Sequence, residues 1–99
     1  MPAYVIFIRE KTVDPQELQE YSRMAPAGLS GHSAAVLALY GEHEVIEGPD
    51  AEGAAILEFP SFEEARAWYY STAYQEAVKH RLKSGVYRGI ILQGIRDRG

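Results

Sequence analysis

The sequence predicts a single α+β domain over residues 1–99, with two helical segments on one side of a four-stranded, antiparallel-type sheet. Three observations predict it. Runs rich in β-branched and aromatic residues alternate with capped helical stretches in the order βα-ββ-αβ. The 99 residues are enough for one core, since a chain of this size buries roughly 60–70% of its unfolded surface. The first and last strands are apolar on both faces, which one layer of helices cannot cover.

Residues 3–12 are too short and too β-branched for a helix, and their two faces read Tyr4/Ile6/Ile8 and Val5/Phe7/Arg9. Asp14-Pro15-Gln16-Glu17 opens a helix: a carboxylate for the orphan amides, proline at the first helical position, and an acid at the positive end of the dipole. Leu18, Tyr21, Ala25 and Leu29 continue the stripe, and Pro26 is expected to break or kink it near Ala25. Residues 33–47 read as a long strand or a bent pair, 48–53 as a turn, and Ala54–Phe59 as the third strand.

Ser61 and Glu64 have capping-box spacing and start the second helical segment. Ser71-Thr72 interrupts it, and Thr72-x-x-Gln75 is expected to cap a second piece that runs to Ser84, where Gly85 stops it. Val86–Ile95 is the last strand, with Val86, Ile90 and Leu92 on one side and Tyr87, Ile91 and Ile95 on the other; a charged tail, Arg96-Asp97-Arg98, follows. This order gives a split-βαβ, ferredoxin-like sandwich of sheet order 4-1-3-2, with strand 1 beside strand 3 and expected to run parallel to it. The uncovered sheet face calls for a second copy of the chain packed about a two-fold axis.

Composition excludes several classes. Cysteine is absent, so thiol chemistry and disulfides are excluded. With 14 acidic against 10 basic residues and no basic run, nucleic acid is a poor partner. The longest apolar run, Ala34–Tyr40, is seven residues, against the ~20 of a membrane span. The N-terminal run is cut by Arg9-Glu10-Lys11 and is no signal peptide. A cytoplasmic protein without membrane association is the expectation. His32, His43 and His80 lack metal-ligand spacing, and no glycine-rich phosphate loop or serine elbow is present.

The stretch Glu58-Phe59-Pro60-Ser61, followed by Ala65-Arg66-Ala67-Trp68-Tyr69-Tyr70-Ser71 and Tyr74-Gln75 with Arg81 beyond, resembles the signature of the family catalogued as domain of unknown function 1330. The Tyr4-Val5 start and Glu44–Gly48 match as well, while Leu39-Tyr40-Gly41 stands where the family often carries a basic residue. The resemblance implies the dimeric α+β barrel, a superfamily with small monooxygenases and isomerases among its members. The haem-degrading version is disfavoured, because that subgroup uses an asparagine on the first strand and this chain has none.

The most informative polar residue is Arg81. Counting about 100° per residue from Tyr74, Ala77, Val78, Arg81 and Leu82 fall on one side of the helix, so the guanidinium sits within the apolar stripe and must find an acceptor. It either clamps an anionic or carbonyl ligand, bonds Glu58 or helix-end carbonyls, or snorkels past the edge to solvent. Glu58, in an apolar strand, is either a general base of raised pKa or the salt-bridge partner of Arg9 or Arg81. Trp68, Tyr69 and Tyr74 either fill the core or line a pocket, with Tyr4 and Tyr40 weaker candidates of the same kind. His32 stands at the entry to the second strand, a reasonable pocket mouth, and His80 falls on the solvent flank. The expected site is therefore Glu58 and His32 as catalytic candidates, with Arg81, Arg9, Trp68, Tyr69, Tyr74 and Tyr4 binding a small anionic or carbonyl ligand. No metal and no cofactor are expected. Three functions stay open: a cofactor-independent oxygenase or isomerase using Glu58 and Arg81, a non-catalytic metabolite-binding module, and a purely structural dimer.

Overall fold

The computed structural model describes residues 1–96; Asp97 and Arg98 of the charged tail lie outside them. The elements are β1 (Ala3–Thr12), α1 (Pro15–Gly28), β2 (Ala35–Leu39), β3 (Gly53–Phe59), α2 (Phe62–Tyr69), α3 (Thr72–Ser84) and β4 (Gly85–Gln93). The four strands form one sheet in the order β2-β3-β1-β4. Among the described residues, no helix is long and apolar enough to cross a membrane.

Local chemistry sets the helix starts. The Asp14 carboxylate accepts from the Gln16 and Glu17 amides at 3.1 and 3.3 Å, and the Ser61 hydroxyl accepts from the Glu64 amide at 3.1 Å. Pro26 does not break α1. It lies in the last turn, where a missing amide costs a single hydrogen bond, and the Leu29 amide closes the helix on the Pro26 carbonyl at 3.1 Å. The break between α2 and α3 is where the sequence placed it, but Ser71 caps α3, accepting from the Tyr74 amide at 3.3 Å. Gln75 instead turns back to the Tyr69 carbonyl.

Two strand expectations are corrected. Strand β3 runs antiparallel to β1, with Tyr4 opposite Glu58 and Arg9 opposite Gly53, and β1 is antiparallel to β4 as well. The long second strand is only Ala35–Leu39, because Tyr40 adopts φ 52° and turns the chain out of the sheet. A register shift between Val36 and Ala38 puts a bulge in this edge strand, and all five of its residues are exposed.

Alternation then assigns the faces. Ala3, Val5 and Phe7 of β1 with Ala55, Leu57 and Phe59 of β3 are buried under the helices, and Trp68, Tyr74, Ala77 and Val78 close the core from above. The helix α2 packs on β1, β3 and β4, whereas α1 packs chiefly on α3. His80 meets Glu17 across that helix pair at 2.5 Å, so it is half-buried rather than free on the flank. The opposite sheet face carries Tyr4, Ile6, Ile8, Ile56, Glu58, Ile90 and Leu92. No helix among the described residues covers it, and Ile90 and Leu92 are 56% and 50% exposed. Ile95 falls beyond β4 and is exposed.

Candidate functional site

The alternation of β1 and β4 brings Phe7, Gly89 and Ile91 to the helix side, and a cavity of about 500 Å³ opens between this floor and the α2–α3 layer. Tyr69, Tyr70 and Arg66 border it from α2 and the residue after it, Arg81 and Leu82 from α3, and Tyr87 from β4. The size is that of a pocket for a small organic molecule. Its floor depends on Gly89, where an added Cβ would come within 2.9 Å of the Phe7 ring.

Arg81 is 3% exposed. Its guanidinium carbon lies 4.4 Å from the Phe7 ring centre, 5.1 Å from that of Tyr87 and 5.9 Å from that of Tyr21. Such contacts are worth roughly 0.5–2 kcal/mol each for a cation, and they leave its hydrogen-bonding capacity unused. Among the described residues Nε is buried with no acceptor, and no carboxylate lines the cavity. The Trp68 indole nitrogen is a second buried donor without a partner among the described residues. Trp68 does not line the cavity, so the unmet group there is the Arg81 donor, and the complement it calls for is an acceptor.

Phenols surround the cation. The Tyr21 and Tyr74 hydroxyls share a hydrogen bond of 2.6 Å. Burial, then the neighbouring Tyr21 phenol, pushes the Tyr74 hydroxyl far above the ordinary range of 10.0, and burial likewise raises Tyr21 against the pull of Arg81. Burial and the neighbouring phenols of Tyr87 and Tyr21 push Tyr40 up to about 12. All three are proton donors at neutral pH. Because their folded-state values are raised, their contribution to stability is complete below the unfolded phenol range near 10.0 and is lost as pH rises through the folded values. Phenolate absorbance is thus expected to stay incomplete in the window from about 10 to 12 and to finish only as the fold is lost; complete titration near 10 with circular dichroism unchanged would contradict this burial.

Arg9 lies on the same sheet face, opposite Tyr87 across the β1–β4 pair. Its Nε donates to Glu52 at 3.1 Å and its guanidinium carbon sits 4.3 Å from the Tyr40 ring centre. The Thr12 hydroxyl and amide donate to the same carboxylate at 2.6 and 2.8 Å. These bonds, the hydroxyl's foremost, hold Glu52 below the usual carboxylate range. Arg9 is thereby braced beside Tyr87, and its carboxylate partner is Glu52, not Glu58.

The other expected residues separate. Tyr69 lines the cavity. Trp68 and Tyr74, each 1% exposed, are core residues whose rings lie 4.1 Å apart behind it. Glu58 and Tyr4 are cross-strand partners on the face away from the helices, so Glu58 does not meet Arg81. Alternation forces this: Glu58 is flanked in sequence by Leu57 and Phe59, which point to the core. Glu58 instead borders a shallow hollow with Pro2, Ser33 and Pro60, and His32 sits in the turn before Ser33, its amide bonded to the Leu29 carbonyl at 3.0 Å. The expectation of Glu58 and Arg81 acting in one pocket is therefore not met. Sequence reasoning passed over Arg66, Tyr87 and Phe7. The period-two pattern of β4 pairs Tyr87 with Ile91 and was the available signal for the second; nothing in the helical pattern marked Arg66. Among the described residues, no group of three histidine or acidic side chains is placed to hold a metal.

Comparison with solved structures supports the fold. A protein of unknown function from Rhodopseudomonas palustris, RPA0582, superposes with a TM-score of 0.69 at 22% identity, covering 97% of this chain and 84% of that one. A dimeric protein of ferredoxin-like fold from Bacteroides fragilis gives a TM-score of 0.58 at 10% identity, covering 94% and 95%. SnoaB, a cofactor-independent oxygenase from Streptomyces nogalater, gives 0.57 at 6% identity, covering 97% and 94%. No curated protein matches the chain. The strand-helix junction around Pro60, the aromatic run of α2 and Arg81 all fall within residues 2–95, which match one family profile throughout, and the chain belongs to that family, described as domain of unknown function (DUF1330).

Proposed function

We propose that the protein is a homodimeric small-molecule-binding protein whose Arg81 cavity takes a planar organic anion such as an aromatic carboxylate, a phenolate or an enolate. The observation that carries the reading is a guanidinium 3% exposed with no acceptor among the described residues, in a cavity that no carboxylate lines. A buried cation left this way costs several kcal/mol, and a ligand anion removes that cost. Flat walls from Phe7, Tyr69 and Tyr87 suit a flat ligand. Isothermal titration with a panel of aromatic carboxylates and phenols is expected to find binders. Arg81→Gln should weaken them about 10- to 100-fold, the worth of a hydrogen bond to a charged group. Equal affinity in the variant would overturn the reading.

A second reading, a cofactor-independent oxygenase or isomerase, is favoured by one observation: a cation surrounded by phenols stabilises the electron-rich anion such reactions pass through. With no carboxylate or histidine lining the cavity among the described residues, the ligand would have to enter already ionised. Oxygen uptake or isomerisation of a bound ligand distinguishes this reading from binding alone.

The dimer reading rests on the uncovered face of the sheet, where Ile6, Ile56, Ile90 and Leu92 lie together, and on the dimeric protein among the structural neighbours. Sedimentation equilibrium at micromolar concentration should return twice the chain mass of 11.0 kDa, and Ile90→Asp should return the single mass. A wild-type protein that sediments as one subunit would refute it.

A further inference from the structure

We infer that the cavity selects a ligand with two anionic groups, one held by Arg81 at the base and the other by Arg66 at the mouth. This rests on the reading of the Arg81 cavity as an anion site and adds the ligand's second charge. Arg66, on α2, borders the same cavity as Arg81, on α3. Its guanidinium carbon stacks 5.1 Å from the Tyr70 ring centre, and Tyr70 also borders the cavity and is 62% exposed. Among the described residues no carboxylate forms an ion pair with Arg66, although Glu63 is one turn away on the same helix. The last turn of a helix favours a cation of any kind through the dipole. What sets Arg66 apart is the stacking on Tyr70, which holds its planar guanidinium against a ring that also borders the cavity. Two guanidiniums border one cavity with no acid among its described lining residues, and a single negative charge answers only one of them. A flat molecule with acidic groups at both ends answers both.

The probes are benzoate and the two benzene dicarboxylates with meta and para spacing, titrated into the 99-residue chain by calorimetry. The better dicarboxylate is expected to bind about tenfold more tightly than benzoate: about twofold for its two equivalent ends and about fivefold for a solvent-facing ion pair. In Arg66→Gln the ratio should fall to about two, while Lys79→Gln, a surface change of equal charge on α3, should leave it near ten. A ratio unchanged by Arg66→Gln, or lowered equally by Lys79→Gln, overturns the inference and leaves the Arg81 site standing. Failure of all three probes to bind the wild-type protein overturns the Arg81 reading, and this inference with it.

Discussion

Arg81→Met is expected to yield a more stable protein that no longer binds an anion. The side chain sits against Phe7 and Tyr87 at 4.4 and 5.1 Å with its Nε unpartnered among the described residues. The ring contacts offset part of the desolvation of the charge, by roughly 0.5–2 kcal/mol each. Methionine has similar length, needs no acceptor, and gains sulfur–aromatic contacts with the same rings. Replacing buried charge by an apolar group of similar volume is commonly neutral or stabilising by about 1–4 kcal/mol, and a gain of about 1–2 is expected here. Urea unfolding should show a higher midpoint with unchanged slope, and titration with any anion found to bind the wild type should show no heat. Destabilisation beyond about 1 kcal/mol would mean that the guanidinium is structural. Function and stability pull in opposite directions at this one position, as expected of a site built for a missing partner.

Gly85→Ala is expected to have the largest effect on stability of any single methyl added to the chain. An added Cβ there would lie 2.1 Å from the Lys11 carbonyl oxygen and 3.1 Å from the Thr12 Cα, both backbone atoms that cannot rotate away. The φ of 174° is ordinary extended backbone, so the requirement is for space alone. The joint is also where the chain is knotted together: the Ser84 carbonyl accepts from the amides of Val13 and Asp14 at 2.6 and 2.9 Å, which ties the β1–α1 turn to the α3–β4 turn. Overpacking a rigid site costs about 1–3 kcal/mol and at times more; a loss of at least about 3 kcal/mol is expected, a large part of the ~5–15 that holds a small domain. Gly41→Ala serves as the control, since nothing lies within 4 Å of its added Cβ, and should stay within about 0.5 kcal/mol. Equal thermal midpoints for the two variants would contradict the packing at Gly85.

Much of this architecture was legible because it rests on local signals. Asp14, Ser61 and Gly85 mark their boundaries by chemistry that acts within three residues, and the sheet order follows from the sequence of elements. The direction of β3 was available too: β2 returns parallel to β1 after a crossover, so the next strand must run against β1. The length of β2 was not available. Ala34–Tyr40 is apolar enough for a central strand, yet β2 is the exposed edge, since hydrophobicity records burial and not which neighbour supplies it. Arg81 was legible from helical phase. Its partnership with Glu58 was not excluded, because a strand residue's face becomes known only once the register is fixed. Arg66 carried no signal, because on a helix an exposed arginine beside a pocket looks like any solvated one.

The bulge between Val36 and Ala38 has a consequence for how the protein behaves in a crowded solution. It sits inside the chain's longest apolar run, on the outermost strand, where an unbroken ladder of free amides and carbonyls would recruit other extended chains. By putting the ladder out of step after two residues, with the Tyr40 turn ending it three residues later, the fold leaves too short a regular edge to seed a fibril.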